Sequence, residues 1–374
     1  MVMEQVQTSP TIRLYPPSEL NSHRWIADNV VRRHRYTLPD PAVLLLLGAM
    51  APIKVDDLAS KVASRLSLHE PAIKGLIESL VEKECLLDST CTGKDFAHLA
   101  EIRREWQASG WDEAAEYHFV TFDYPYVGAS GSSEAISQKR MVEYGAIEPD
   151  LNRYKRYEGD YFRIPLPQPR SDLLTQAFVF HGAEDSGSVD LDLLSRIITL
   201  NIAPLRSVNV GNQGAPLFMR SVPSGGSRHP TEVYFLNLGV EDMPQGWYHC
   251  SLDELELILI NRDVPSSEMC DALFPICVGR ARYSVAGVFV LTAVFERNMY
   301  RYREPRTFRT IFMDSGHMIA SIQSCLRSLG AITAIEYGVN DVEVESYLGI
   351  EYLEEGVVLA MSFGSSQPKE EVSA

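Results

Sequence analysis

The residues best suited to chemistry lie in one stretch, RSVPSGGSRHPTEVYFL, from Arg220 to Leu236. Gly225 and Gly226, flanked by Ser224 and Ser227, allow backbone to approach a flat or anionic ligand closely. Arg220 and Arg228 stand on either side, and a guanidinium carries a fixed fork of donors that matches a phosphate. A Gly-Gly pair before a strand is also an ordinary turn, so both readings stand on these residues alone. His229, before a proline, can cap the strand, and Glu232 can be buried and paired but is assigned no role. The sequence offers no Ser-His-Asp arrangement, no cluster of metal ligands and no GxxxxGK loop, so hydrolysis, metal chemistry and nucleotide turnover lack support.

Alternating strands and helices must position that stretch. Val233–Leu238, Gly246–Cys250 and Leu255–Leu259 are predicted strands, Val285–Phe295 is a long buried one, and Val357–Ser362 is the last. A helix is predicted over Leu191–Leu200. Another is expected behind Asp314 or Ser315, with Met318, Ile319, Ile322 and Leu326 on one face and its end at Gly330. Residues 171–374 therefore read as one α+β domain. Residues 96–170 form an aromatic-rich connector containing Trp106, Trp111, Tyr117, His118 and Phe119; within it GASGSSEAISQ, from Gly128, is expected to be a mobile loop, and IPLPQP, from Ile164, an extended linker.

Residues 1–95 read as a winged-helix-like domain with an N-terminal extension. Helices are predicted over Ala42–Met50, behind Asp56 or Asp57, and behind Ser67, with Glu70 placed as in a capping box. A winged helix suggests DNA, but charge opposes it: between Asp40 and Asp88 there are eight acids and five bases, and the whole chain of 374 residues carries −16. Nucleic acid is therefore excluded as the expected partner, leaving peptide docking or a structural role for this domain. The six cysteines form no CxxC pair, and the longest apolar run, Val43–Ile53, is too short for a bilayer. A cytoplasmic protein without membrane contact is the expectation.

Four motifs in succession carry a family resemblance: PSGGSRHPTEVYFL, GWYHC from Gly246, YRYREPRTFRTIFMDSGHMIASIQSCLRSLGA from Tyr300, and VVLAMSFG from Val357. In this order they resemble the SagB/McbC-type dehydrogenases of the nitroreductase-like superfamily, over about the last half of the chain. The resemblance implies a nitroreductase-like α+β fold and FMN as cofactor, in a homodimer with the flavin at the subunit interface. It also implies work with a cyclodehydratase complex on a precursor peptide, oxidising azoline rings to thiazoles or oxazoles. The family's flavin-contacting turn falls on Pro223, Ser224, Gly225, Gly226, Ser227 and Arg228, with Arg220 upstream as a phosphate partner and Gly330 and Ala331 near the cofactor. No metal site is implied.

A Lys-Tyr pair associated with proton transfer in the family is matched here by Arg301 and Tyr302. Arginine stays protonated and cannot act as the base, so Tyr302 is the expected proton acceptor, with Arg301 stabilising its phenolate. The paired-arginine motif of many relatives is missing, and only Arg170 and Arg206 stand in for it upstream, with Arg306 and Arg309 as further candidates. His317 is expected to be a packed helix residue, and Trp247 and Tyr248 to pack on sheet faces. Two other functions fit the residues: an NAD(P)H-dependent reductase of dehydroamino acids or of nitro or quinone compounds, and a non-catalytic scaffold that docks the leader peptide.

Overall fold

The computed structural model describes residues 3–88, 94–122, 131–147, 154–169, 189–208 and 217–365. The chain divides into two compact units, residues 1–125 and 126–374. In the first, β1 (Gln5–Thr8) pairs with β5 (Ile53–Lys54) and β6 (Leu86–Asp88), while β2 (Ile12–Tyr15), β3 (Trp25–Asn29) and β4 (His34–Leu38) form an antiparallel meander. The helices α1 (Asp40–Gly48), α2 (Val55–Leu66) and α3 (Glu70–Glu82) give the winged-helix outline. Leu45, Leu46, Leu58, Ile73, Ile77 and Leu80 bury their side chains between them.

Two caps differ from expectation. Lys54 is the N-cap of α2, with Asp56 and Asp57 in its first turn, where carboxylates face the positive end of the helix dipole. Ser67 ends α2 in the left-handed conformation, φ 54°, and His69 is the N-cap of α3. The helices α4 (Lys94–Ala108) and α5 (Asp112–Thr121) complete this unit, with Trp106 stacked on His118 and edge-on to Trp111.

The second unit opens with α6 (Gly131–Ile147). A mobile loop was the expectation for GASGSSEAISQ, but Gly131 to Gln138 are helical, and Gly128 to Ser130 lie outside the described residues. Tertiary contacts override the weak propensity of its small polar residues: Arg301 donates to Ser137 Oγ (3.1 Å) and the Arg303 guanidinium lies 4.1 Å from the Tyr144 ring centre. The linker-like run begins in a strand, β7 (Arg163–Pro165).

Further along come α7 (Leu191–Ile202), β8 (Arg206–Val208), β9 (Leu217–Met219), β10 (Thr231–Asn237), β11 (Gly246–Ser251) and β12 (Glu256–Asn261). They are followed by α8 (Ser267–Leu273), β13 (Ser284–Val294), α9 (Phe295–Met299), α10 (Thr307–Ser328), β14 (Ile332–Glu336), α11 (Asp341–Leu348) and β15 (Glu355–Ser365). Among the described residues, seven strands form an antiparallel sheet in the order β14-β15-β13-β10-β11-β12-β7.

Side chains along β10 alternate between two cores. Val233 and Phe235 pack with Ile197 of α7 and Ile322 of α10, whereas Leu236 packs with Leu273 of α8 and Val344 of α11. Each such fully buried side chain stabilises the fold by about 2 kcal/mol, so the sheet is a rigid base for the turn that precedes β10. Cys85, Cys250, Cys270, Cys277 and Cys325 are free and buried. Among the described residues no helix is long and apolar enough to cross a membrane.

Candidate functional site

The helix α10 begins at Thr307, seven residues before Asp314, so neither Asp314 nor Ser315 caps it. Both are buried inside the helix and bond to the segment leading into β10. Asp314 accepts from Ser224 Oγ (2.6 Å) and from the Gly225 amide (3.2 Å), and Ser315 Oγ is 3.0 Å from Thr231 Oγ1. Burial pushes the Asp314 carboxyl upward, against the opposing effect of these donors and of His317. His317 itself is exposed on α10 rather than packed.

Those bonds hold a tightly folded turn. Gly226 has φ 62°, Ser227 54° and His229 50°, a conformation that costs a side-chain-bearing residue about 1 kcal/mol or more. Hydrogen bonds offset the cost. Ser227 donates through its amide to Ser224 O (3.0 Å) and through Oγ to Phe218 O (3.0 Å). The amide of His229 donates to Ser224 Oγ (2.9 Å), and its Nε2 is 2.8 Å from Phe218 O, which makes Nε2 the protonated nitrogen. Burial and the nearby Arg220 and Arg297 push the His229 imidazole down to about 3, so it is neutral at pH 7 and unable to serve as a cation.

Neither glycine has room for a side chain. A Cβ on Gly225 would stand 2.2 Å from Thr310 Cγ2, and one on Gly226 would stand 2.2 Å from Tyr302 Oη. The second contact brings two distant motifs together: the hydroxyl of Tyr302 rests against the backbone of the Gly-Gly turn. The Arg301 guanidinium lies 5.5 Å from the Tyr302 ring centre, within range of a cation–π attraction, and Arg228 lies 5.7 Å from Tyr300 in the same way. Pro223 and Gly226 are exposed at the rim of the turn, and Arg228 is buried.

Arg220 follows β9 and carries buried Nε and Nη1 atoms that have no hydrogen-bond partner among the described residues. Burial, and Arg297 nearby, lower it to about 10, although Glu232 pulls the other way. A cation in that condition gains from an anion, and the phosphate of FMN supplies one. Those unpartnered donors and the exposed backbone of Gly226 fit such a cofactor. Arg206 lies in β8, and Arg306 and Arg309 at the start of α10; Arg170 falls outside the described residues.

Gly330 and Ala331 follow the opposite end of α10, where Gly330 adopts φ 82° and Ala331 donates to Leu326 O (3.1 Å). Sixteen residues at about 1.5 Å rise separate Gly330 from Asp314, about 24 Å along the helix. Within one chain they are not brought to the Gly-Gly turn.

Sequence reasoning found Glu232 but not its partner. Glu232 is buried in β10, with Arg297 Nη2 at 2.5 Å and His249 Nε2 at 2.7 Å. Burial alone raises the Glu232 carboxyl, but Arg297 and His249 together bring it down to about 2. A carboxylate in the middle of an apolar strand was itself the signal, since such a charge requires a cation beside it. Arg297, in the segment FERNM, offered none. Trp247 and Tyr248 pack on opposite sheet faces as expected.

No family model matches the sequence. Trifolitoxin-processing protein TfxB of Rhizobium leguminosarum bv. trifolii is 30% identical over 297 residues, covering 75% of this chain and 75% of TfxB. The chain belongs to the SagB/McbC-type, nitroreductase-like family. Its fold is α+β and nitroreductase-like. Solved structures with similarity include a protein of Anabaena variabilis described as a nitroreductase, at 22% identity and TM-score 0.49 over 68% of this chain and 46% of that one. They also include a chain of the E. coli microcin synthetase McbBCD complex with truncated pro-MccB17 bound, at 15% identity and TM-score 0.40 over 72% of this chain and 97% of that one.

Proposed function

We propose that this protein is an FMN-dependent oxidoreductase of peptide maturation that dehydrogenates azoline rings to azoles in a ribosomally made precursor. It works as a homodimer beside a cyclodehydratase. The observation that carries the reading is the contact of Tyr302 Oη with Gly226, which joins the proposed proton acceptor to the proposed cofactor turn. FMN, when bound, supplies the two-electron acceptor for the hydride removed from the ring. This chain's residues do the rest. Arg220 and Arg228 bind the anionic cofactor, the Gly225–Gly226 backbone lets it approach, and Tyr302 takes the proton from the ring carbon. Arg301, held over the Tyr302 ring and bonded to Ser137, favours a negative charge on that residue. The length of α10, about 24 Å from Asp314 to Gly330 at about 1.5 Å per residue, supports a cofactor that meets the Gly-Gly turn and Gly330 from different copies.

A specific feature favours a second reading. Arg301 is permanently cationic where the family carries a lysine, which suits stabilising an anion during reduction of a dehydroamino acid by NAD(P)H. Purified protein incubated with an azoline peptide separates the two: loss of the mass of two hydrogens per ring is expected. Tyr302→Phe should retain FMN and lose turnover by about a hundredfold, the usual scale for a positioned acid–base group. Unchanged azoline mass together with rapid bleaching of the flavin by NADPH would sink the dehydrogenase reading in favour of the reductase.

A further inference from the structure

The turn before β10 is held from both sides, and on the second side Arg297 lies outside the motifs. His229 has its amide on Ser224 Oγ and its ring on Phe218 O, and its carbonyl accepts from Arg297 Nη1 at 3.2 Å. The same guanidinium meets Glu232 Oε1 through Nη2. Glu232 in turn accepts from His249 Nε2 on β11, two strands from β13. Both Arg297 and Glu232 are 1% exposed, so the pair is shielded from screening by water and salt.

We infer that Arg297, clamped by Glu232, is the positioning residue of the Gly225–His229 turn, fixing it in the shape that receives the cofactor. His229 sits at φ 50°, a conformation that a histidine does not keep unaided. Its amide bond and carbonyl bond act on either side of the strained Cα. The amide bond leads through Ser224 to Asp314 on α10; the carbonyl bond leads through Arg297 to Glu232 in the sheet. Only an arginine serves here, because its planar fork reaches a carboxylate and a carbonyl with separate nitrogens, whereas a lysine presents one point charge. This inference rests on the reading of the turn as the cofactor site for its consequence, but not for its geometry.

Two variants of the full chain test it. Arg297→Lys keeps the charge opposite Glu232 and removes the fork. Glu232→Gln with Arg297→Met removes both charges together, a change that buried pairs often tolerate, and leaves Gln to accept from His249. Amide hydrogen exchange of the FMN-free protein is the first measurement. In either variant that folds, the amides of Gly225 and His229 are expected to exchange about tenfold faster, the scale of one lost charge-assisted hydrogen bond, with β10 and β13 unchanged. The second measurement is FMN titration, expected to show about tenfold weaker binding and an altered visible circular dichroism band. Unchanged exchange at Gly225 and His229 overturns the inference, and so does equal acceleration throughout β10 and β13, which marks a merely structural pair. Failure of the unaltered protein to bind FMN overturns the functional reading instead, and the exchange comparison still decides the role of Arg297.

Discussion

Gly225 and Gly226 are both required, for different reasons. Gly226 has a left-handed backbone and the Tyr302 hydroxyl over it, whereas the obstacle at Gly225 is a single methyl group, Thr310 Cγ2. Gly225→Ala should therefore destabilise the FMN-free protein by about 1–3 kcal/mol through overpacking. Adding Thr310→Ser, which deletes that methyl, should recover most of the loss; a double-mutant cycle of denaturant unfolding measures the coupling, and additive losses would contradict the packing. Glu232 gives a pH prediction. Its folded value of about 2 lies below its unfolded value of 4.5, so it contributes stability that is present above pH 4.5 and lost as pH falls toward 2. Unfolding free energy measured across that window should fall more steeply for the native protein than for Glu232→Gln. Comparing the two cancels Asp314, whose raised carboxyl acts with the opposite sign: its ionised form costs stability, which falls as pH rises above 3.8.

At the scale of elements, the long strands of the second unit and the helix start at Leu191 were legible, whereas the starts of α2, α3 and α10 were not. Val285–Phe295 was read almost to the residue, and β13 spans Ser284–Val294, because a strand buried on both faces is a continuous apolar run. The start of α10 was displaced by seven residues for a physical reason. Phe308, Phe312 and Met313 in its first two turns are exposed, so no apolar stripe marks them, while Asp314 and Ser315 have the side chains of a good cap. Their oxygens are used across space instead, on Ser224, Gly225 and Thr231. Ser67 deceived in the same manner, ending α2 rather than starting α3. The Gly-Gly turn and Tyr302 were visible as motifs, but their contact was not, since 76 positions of chain separate Gly226 from Tyr302 and nothing local encodes the approach. Likewise the three bonds at His229 draw on Phe218, Ser224 and Arg297, of which only Ser224 belongs to the motif.

The whole molecule carries −16, yet its candidate site gathers Arg220, Arg228, Arg297 and Arg301 around one turn. These two facts act at different ranges. The arginines act within a few ångströms and are partly neutralised at close quarters, Arg297 by Glu232. The net charge acts over a Debye length, about 30 Å at 0.01 M salt and about 8 Å at 0.15 M. An FMN phosphate approaching from solvent therefore meets repulsion first and attraction last. Raising salt from 0.01 to 0.15 M should increase the association rate of FMN by about twofold or more, opposite to the behaviour of a protein that steers its anion with a basic face. The dissociation rate should change less, because the contacts that hold the phosphate are short and shielded. Stopped-flow quenching of flavin fluorescence measures both rates. An association rate that falls with salt would mean that the arginine cluster governs the approach as well as the hold, and that the acidic residues lie too far from the path to matter.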